Sequence, residues 1–349
     1  MNKDFLLELI STPSPSGNEL EIQKKIIKEM APYSDKVLTH HSLNVVNVIN
    51  PDSKMKILLS GHIDEISLVV DKVLDNGTIK MQRNGGIRPY MYAGQHVNVI
   101  HKEDGNINYV PGVIGYVPDM GKKELLVKDL VLDLGTSNKE ETLKLVSIGD
   151  PVIHMNTYVE LANGFLSGRA LDNRLGAFIC LEVLKNVKER GGKNGVYASS
   201  TVGEETTYRG AMAAADNVKP TIALITDVCY ASDLEYRENL TGSVALGKGP
   251  VLTIGSEMNT VILEKMKETC KKLNIAYQVK ATPEQTATDT DEIFHRQAGI
   301  PCFLISIPLR YMHSSVEVCS LKDVQDIIDL MTEFILDLDP DTNFNPFMY

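Results

Sequence analysis

The chain has 349 residues, 43% of them hydrophobic and 23% charged, and carries a formal net charge of −11. This length exceeds the roughly 250–300 residues at which single cores stop growing, so more than one domain is expected. The acidic balance argues against a nucleic-acid partner, because phosphate binding depends on clustered Lys and Arg. Neither a basic amphipathic stretch nor an apolar run of roughly 20 residues indicates a membrane partner.

The N-terminus and the cysteines favour a cytoplasmic protein. In MNKDFLLELISTPSPSG, Asp4 and Glu8 interrupt apolar positions that recur at helical spacing, which is not the pattern of a signal peptide. The cysteines are odd in number, dispersed and mostly within apolar segments, as expected of reduced core thiols. They are Cys180, Cys229, Cys270, Cys302 and Cys319.

Patterns typical of helices and strands alternate in the first part of the chain, and patterns typical of strands predominate after it. Ser16-x-x-Glu19 is a capping-box pattern that predicts a helix, and LNVVNVI and KILLSG predict buried strands. From residue 67 to residue 160 the signals are mostly β, with hairpin turns predicted at Asn76-Gly77 and Asp104-Gly105. Ser137-x-x-Glu140 predicts one short helix within this region.

The alternation of helices and strands resumes after Gly168. NRLGAFICLEVLKNV and EMNTVILEKMKETCKKL predict helices, and GVYASSTV, TIALITDV and IPCFLIS predict strands. Ser320-x-x-Asp323 predicts the start of a last helix. The sequence therefore predicts an α/β domain formed by residues 1–66 and 161–349, interrupted by a β-rich domain at residues 67–160.

Polar residues gather at the predicted ends of the strands, where open α/β sheets bind their ligands. Each one alone also has an ordinary structural explanation, such as a loop hydrogen bond, a helix cap or a surface charge. An adjacent pair of carboxylates is harder to explain in this way, because like charges repel. The candidates are His62 and Asp64 in GHIDE, Asp172 in ALDNR, Glu204 and Glu205 in GEETT, Asp227 in ITDV, and His313 in MHSS.

Taken together, the candidates predict a metal site. Two imidazoles and three carboxylates without a thiolate suit a hydrolytic Zn²⁺, Co²⁺ or Mn²⁺ centre. Five protein ligands are too many for one open catalytic ion, but two ions about 3.5–4 Å apart that share a carboxylate use this number and leave room for a bridging water. One glutamate of the pair Glu204-Glu205 then binds metal, and the other takes a proton from that water.

The ordered pattern H-x-D, A-L-D-N-R, E-E followed by R-G-A, D-V and H-S beside SSVEV resembles the dinuclear-metal aminopeptidases of the glutamyl-aminopeptidase and tetrahedral (TET) type, some of which are called cellulases. The resemblance covers essentially the whole chain. It implies a three-layer α/β/α catalytic domain of the phosphorylase/hydrolase-like class, interrupted by a barrel-like dimerisation domain. It also implies a homo-oligomer built from dimers, often a dodecamer.

The resemblance implies a role for each candidate residue. Asp172 would bridge two divalent ions, zinc or cobalt with manganese as a third candidate. Glu204 would be the general base for a metal-activated bridging water, and Asp64 would orient a ligand histidine. The substrates would be peptides with a free N-terminus. One ion would be held by His62 and Asp227, and the other by Glu205 and His313.

Two segments depart from the family pattern. The family's usual E-E-V-G-x-R-G-A reads Glu204-Glu205-Thr206-Thr207-Tyr208-Arg209-Gly210-Ala211 here, and its T-D-A-x-A-I becomes T-D-T-D-E-I. If the second segment lines the pocket for the substrate side chain, the added acids Asp291 and Glu292 would favour basic or neutral residues. A solvated first helical turn explains the same acids equally well.

Two other functions remain open. Di-metal N-acyl amino acid deacylases and dipeptidases use a similar ligand order, although the position and β-rich content of the insertion favour an aminopeptidase. The alternative without catalysis is an inactive oligomeric scaffold that binds peptides. A metal assay separates these classes, because a scaffold has no reason to hold two equivalents of metal.

Overall fold

The computed structural model describes residues 1–116, 124–233 and 244–348. Within these ranges the strands are Lys36–Thr39 (β1), Val45–Ile49 (β2), Lys56–His62 (β3), Ser67–Val73 (β4), Ile79–Asn84 (β5), His96–Glu103 (β6), Asn106–Tyr116 (β7), Leu130–Asp133 (β8), Pro151–His154 (β9), Tyr158–Glu160 (β10), Phe165–Gly168 (β11), Gly195–Thr201 (β12), Ile222–Tyr230 (β13), Val251–Gly255 (β14), Gln278–Thr282 (β15), Cys302–Leu309 (β16) and Glu317–Ser320 (β17). The α-helices are Lys3–Ser11 (α1), Leu20–Met30 (α2), Pro89–Tyr92 (α3), Lys139–Thr142 (α4), Leu171–Glu189 (α5), Arg209–Val218 (α6), Thr260–Leu273 (α7), Asp289–Phe294 (α8) and Leu321–Asp337 (α9).

A mixed sheet of eight strands lies at the centre, in the order β1-β2-β12-β3-β13-β16-β14-β15. Strands β12, β3, β13 and β16 run parallel to one another, so their carboxyl ends meet at one edge. Their side chains are buried almost throughout, as expected for strands covered on both faces.

Helices cover both faces of this sheet and confirm the three-layer α/β/α prediction. A Cβ added to Gly61 would lie 2.4 Å from the backbone carbon of Gly176, so glycine is what allows α5 to lie this close to β3. The hydroxyl of the preceding Ser60 donates a hydrogen bond to Asp289 of α8. Because neighbouring residues of a strand point to opposite faces, α5 and α8 lie on opposite sides of the sheet.

The predicted β-rich region contains a closed barrel with its own apolar core. Its six strands are ordered β4-β5-β8-β7-β6-β9. The turn after β4 contains Asn76-Gly77, and the turn between β6 and β7 is Asp104-Gly105, with φ of 49° and 79°. Both predicted hairpins are therefore confirmed, because Asn, Asp and Gly tolerate the positive φ that such turns require.

One strand links the inserted region to the rest of the chain. Tyr158–Glu160 pairs with Phe165–Gly168, which pairs in turn with Glu317–Ser320 next to the central sheet. The last barrel strand, by contrast, ends at His154. The sequence boundary at residue 160 stays a prediction, and we propose that the inserted domain ends between residues 155 and 157.

Two predicted helix starts were wrong, and the hydrogen bonds explain both. Helix α2 begins after Glu19 without a side-chain cap, because the hydroxyl of Ser16 donates instead to Asp64. Helix α4 is capped by Asn138 rather than by Ser137. The cap at Ser320 is confirmed, since its hydroxyl accepts from the N–H of Asp323.

All five cysteines are buried and unpaired, as predicted. Within the described residues, no helix is both long enough and apolar enough to cross a membrane.

Candidate active site

The candidate residues converge at the carboxyl edge of the parallel strands. His62 ends β3, the pair Glu204-Glu205 follows β12, and Asp227 lies in β13, three residues before its end. His313 follows β16, and Asp172 lies in the first turn of α5. Hydrogen bonds and ion-pair distances link all of them into one cluster.

The two imidazoles aim the same ring nitrogen into this cluster. His62 Nδ1 lies 3.1 Å from the backbone oxygen of Asp64, and His313 Nδ1 lies 3.1 Å from the backbone oxygen of Gly86. Because a carbonyl oxygen only accepts, each Nδ1 carries a proton, and Nε2 is the ring nitrogen left to interact with the facing carboxylates or to bind a metal ion. Both Nε2 atoms face carboxylates, which is the arrangement of a histidine prepared to bind a metal.

Gly86 places the segment after β5 against this cluster of candidate residues. A Cβ at this position would lie 2.6 Å from the imidazole of His313, so a larger residue would displace the ring. The segment after β5 therefore both makes room for His313 and accepts the hydrogen bond that fixes its tautomer.

Asp172 lies between the two imidazoles. Its Oδ1 is 3.2 Å from His62 Nε2, and its Oδ2 is 3.3 Å from His313 Nε2. Buried Glu317 fixes this arrangement, because one of its oxygens accepts from the N–H of Asp172 and the other from the N–H of His313. The two oxygens of Asp172 thus point to two different ligand positions, as a bridging carboxylate requires.

The adjacent glutamates face different histidines. Glu204 Oε2 lies 3.7 Å from His62 Nε2, whereas Glu205 Oε1 lies 3.6 Å from His313 Nε2. The carboxylate of Asp64 accepts from the backbone N–H groups of both glutamates, at 3.1 and 3.4 Å. Asp64 therefore holds the turn that separates the two side chains, besides touching the ring of His62.

Burial and mutual repulsion shift the pKa values of these groups. Burial, followed by the charge of Asp172, raises the pKa of Glu205 to about 8. Burial and neighbouring carboxylates also raise the pKa values of Glu204 and Asp227. The pKa of Asp172 is lowered although burial opposes ionisation, because His313 and His62 hydrogen-bond to it. A site that holds this much negative charge away from water favours bound cations.

The donor geometry fits metal binding. Among the described residues, two groups of three offer ligand atoms that all lie within 4.8 Å of one another: His62, Asp172 and Glu205 form one group, and His62, Glu204 and Asp227 form the other. Imidazole and carboxylate donors without thiolate match the chemistry predicted from the sequence.

A pocket of about 450 Å³ opens onto the cluster. Lys280 of β15 lines it and is the single Lys or Arg among its described lining residues. In the described part of the chain, its ammonium group has no carboxylate within ion-pair distance. Thr286, Ala287 and Thr288 form another part of the wall.

Asp291 and Glu292 do not line this pocket, so the interpretation of them as an acidic substrate pocket was wrong. Buried Asp291 turns its carboxylate to the backbone N–H groups of Thr286 and Ala287, at 2.8 and 2.9 Å. Glu292 lies 3.3 Å from Arg296. Asp291 therefore holds the backbone of the pocket wall from outside the pocket, and outside the carboxylate cluster the charged residue among the described pocket lining is Lys280.

Asp291 also supports a testable prediction about stability. Burial, followed by a hydrogen bond with Asp291, raises the pKa of Glu257 to about 7. Glu257 thus stays protonated in the folded chain at pH values where it is ionised in the unfolded chain. The unfolded state binds fewer protons there, so this contribution to stability is present at pH 4 and is lost as the pH rises to 7.

We expect Glu257→Gln to equal the wild type in unfolding free energy near pH 4.5 and to exceed it by about 2 kcal/mol at pH 8. Urea denaturation at both pH values measures the difference. Glu264→Gln, which replaces an exposed glutamate, is the matched control. A constant difference between Glu257→Gln and the wild type at both pH values would contradict the prediction.

Sequence reasoning missed three residues of the site. Glu317 belongs to SSVEV, which was noted only as a motif, and it is the residue that holds Asp172 and His313. Lys280 lies in an edge strand that was not predicted, and Tyr208 lies in the segment that departs from the family pattern. The pocket brings the last two beside the cluster, but no local sequence signal indicated this.

Comparison with curated proteins finds relatives along the full length of the chain. A putative aminopeptidase of Acetivibrio thermocellus is 32% identical over 335 residues, which cover 95% of this chain and 98% of the relative. A lysyl aminopeptidase of Pyrococcus furiosus is 26% identical over 98% of this chain and 99% of its own.

Solved structures agree with these relatives. A TET aminopeptidase from a marine-sediment Thaumarchaeota archaeon has a TM-score of 0.90 and 30% identity, with 97% of each chain covered. The TET1 peptidase of Pyrococcus horikoshii, which assembles into a tetrahedron or a large octahedral shell, has a TM-score of 0.84 and 27% identity over 96% of this chain and 99% of its own. The family model of the M42 glutamyl aminopeptidases matches residues 44–330. With this match and this fold, the chain belongs to the M42 glutamyl aminopeptidase family.

Proposed function

We propose that the protein is a metal-dependent aminopeptidase that removes the N-terminal residue from peptides. The observation that carries the proposal is the placement of Asp172, with one carboxylate oxygen toward each of two histidine Nε2 atoms beside a substrate-sized pocket. Family membership supports peptide hydrolysis, and the donor set supports dependence on metal.

In this proposal Asp172 is shared between two divalent ions, zinc or cobalt with manganese as a third candidate. His62 and Asp227 hold one ion, and Glu205 and His313 hold the other. Such ions lower the pKa of water and polarise carbonyl groups. Glu317 and Asp64 hold the ligands in place through the hydrogen bonds described above.

Glu204 is the proposed general base. It accepts a proton from the attacking water and returns that proton to the nitrogen of the leaving peptide, so the side chain ends the reaction as it began. Burial and the neighbouring Asp227 and Glu205 raise its pKa, and bound cations would oppose this shift by favouring the ionised carboxylate that acts as a base. The ammonium of a free N-terminus is attracted by the same carboxylates.

Lys280 supports a finer proposal, a preference for acidic N-terminal residues. Lys280 lines the pocket, its ammonium group has no carboxylate partner in the described chain, and a Glu or Asp side chain of the substrate would supply one. A lysine side chain in the substrate would instead meet a like charge.

We also propose a homo-oligomer that uses the inserted domain, by analogy with the assemblies of the TET1 peptidase. The barrel exposes apolar side chains, among them Tyr109, Val113 and Tyr116. Light scattering coupled to gel filtration is expected to give a mass of at least two chains. A monomer at micromolar concentration would contradict the proposal.

The first test is hydrolysis of the aminoacyl-anilides of Glu, Leu, Lys and Ala beside an N-acetylated control, with chelated and with zinc- or cobalt-loaded protein. We expect metal-dependent cleavage of free-amine substrates alone, fastest for Glu. Cleavage of the acetylated substrate would point to a deacylase. If the protein binds two metal ions but cleaves none of the anilides, the proposed substrate class is wrong. Failure to bind metal would favour the inactive peptide-binding scaffold.

A further inference from the structure

Tyr208 is a pocket residue that the roles assigned so far leave unused. It lines the 450 Å³ pocket together with Glu204 and Asp227 and lies in the segment Thr206-Thr207-Tyr208, which departs from the pattern expected after the two glutamates.

The backbone holds Tyr208 in one place at the start of α6. Its φ is 53° and its ψ is 20°, which is left-handed backbone that bulky residues adopt rarely and at a cost. The backbone N–H of Tyr208 donates a hydrogen bond to the backbone oxygen of Gly203 at 2.6 Å. The backbone oxygen of Tyr208 accepts one from the N–H of Met212 at 3.2 Å. Because the same turn carries Glu204, the backbone positions of Tyr208 and of the proposed base are fixed relative to each other.

The surroundings keep the phenol protonated. Burial raises the pKa of Tyr208, and the charges of Glu204 and Asp291 raise it further. Among the described residues its hydroxyl has no hydrogen-bond partner. Tyr208 therefore brings a neutral O–H group to the lining of the pocket, where it is available as a hydrogen-bond donor to an oxygen of the substrate.

We propose that Tyr208 is a catalytic residue whose hydroxyl donates a hydrogen bond to the carbonyl oxygen of the scissile peptide bond. The inference rests on the proposed function, because it needs Glu204 to direct the attack on that carbonyl. No proton leaves Tyr208. The hydrogen bond strengthens as negative charge develops on the oxygen, so it contributes mainly in the transition state.

Kinetics distinguish a catalytic Tyr208 from a residue that only lines the pocket. A residue that only binds the substrate lowers KM and leaves kcat alone, whereas a donor to the developing oxyanion acts on kcat. We expect Tyr208→Phe to lower kcat on the best anilide by about 100-fold and to change KM by less than about threefold. Two metal ions per chain and the wild-type melting temperature should be retained.

A second readout uses binding alone. The 1-aminophosphonic acid analogue of the preferred residue carries tetrahedral oxygens, and the free amino acid does not. Tyr208→Phe should weaken inhibition by the phosphonate at least tenfold and leave inhibition by the amino acid unchanged. Tyr33→Phe is the matched control, because Tyr33 is not among the described residues that line the pocket. If Tyr208→Phe folds poorly, Tyr208→Asn replaces it, because Asn tolerates left-handed backbone.

The outcomes distinguish this inference from the proposed function. A wild-type protein that cleaves none of the anilides overturns the proposed function and this inference with it. An active wild type whose Tyr208→Phe variant keeps kcat within twofold, or changes only KM, overturns the catalytic role of Tyr208 and leaves the aminopeptidase proposal intact.

Discussion

Glu204→Gln is expected to lower kcat by about 10³-fold while the protein keeps its fold and its two bound metal ions. The amide has nearly the shape of the carboxylate but does not accept a proton from water at neutral pH. General-base catalysis of this kind contributes about 10²–10⁴-fold. The loss should appear in kcat and in kcat/KM alike, since substrate binding does not require the proton transfer.

Metal content decides whether this loss has the proposed cause. Glu204 is near His62 and Asp227, so its replacement could also remove an ion. Elemental analysis should give two ions per chain for Glu204→Gln and fewer for Asp172→Ala, the control that lacks the bridging carboxylate. Glu204→Gln with near-wild-type turnover, or with one ion missing, would remove Glu204 from the role of base.

Lys280→Glu is expected to invert the substrate preference. The wild-type ammonium group attracts an acidic side chain of the substrate, and the variant carboxylate repels it in a partly dehydrated pocket. We expect kcat/KM for the Glu anilide to fall about 100-fold and that for the Lys anilide to rise about tenfold. These changes correspond to about 2.7 and 1.4 kcal/mol.

The Leu anilide is the internal control, because a neutral side chain has little interaction with either charge, and its kcat/KM should change less than about threefold. Lys271→Glu, which makes the same change of net charge at an exposed position of α7, should leave all three rates as they are. A wild type that prefers Lys over Glu, or a Lys280→Glu variant with an unchanged Glu-to-Lys ratio, would exclude Lys280 as the specificity residue.

The domain organisation and the set of candidate metal ligands could be predicted from the sequence, because they depend on the types and spacing of residues close together in the chain. Short continuous apolar runs predicted the strands that carry His62 and Asp227, and Asn76-Gly77 predicted its turn by residue type alone. The capping box predicted at Ser16 failed for the opposite reason. The local pattern predicted that the hydroxyl of Ser16 caps helix α2. It donates instead to the carboxylate of Asp64, which is 48 positions away in sequence.

The sequence by itself determined which functional groups are available: two imidazoles and several carboxylates, in the order typical of one family, at the ends of buried strands. Only the tertiary structure decided how those groups face one another. The Nδ1 partner of His313, the position of Asp172 between the two histidines and the presence of Lys280 and Tyr208 in the pocket lining all depend on contacts between segments far apart in the chain. Hydrogen bonds and Coulomb forces act over a few ångströms, so their partners become defined when packing of the sheet and barrel brings those segments together.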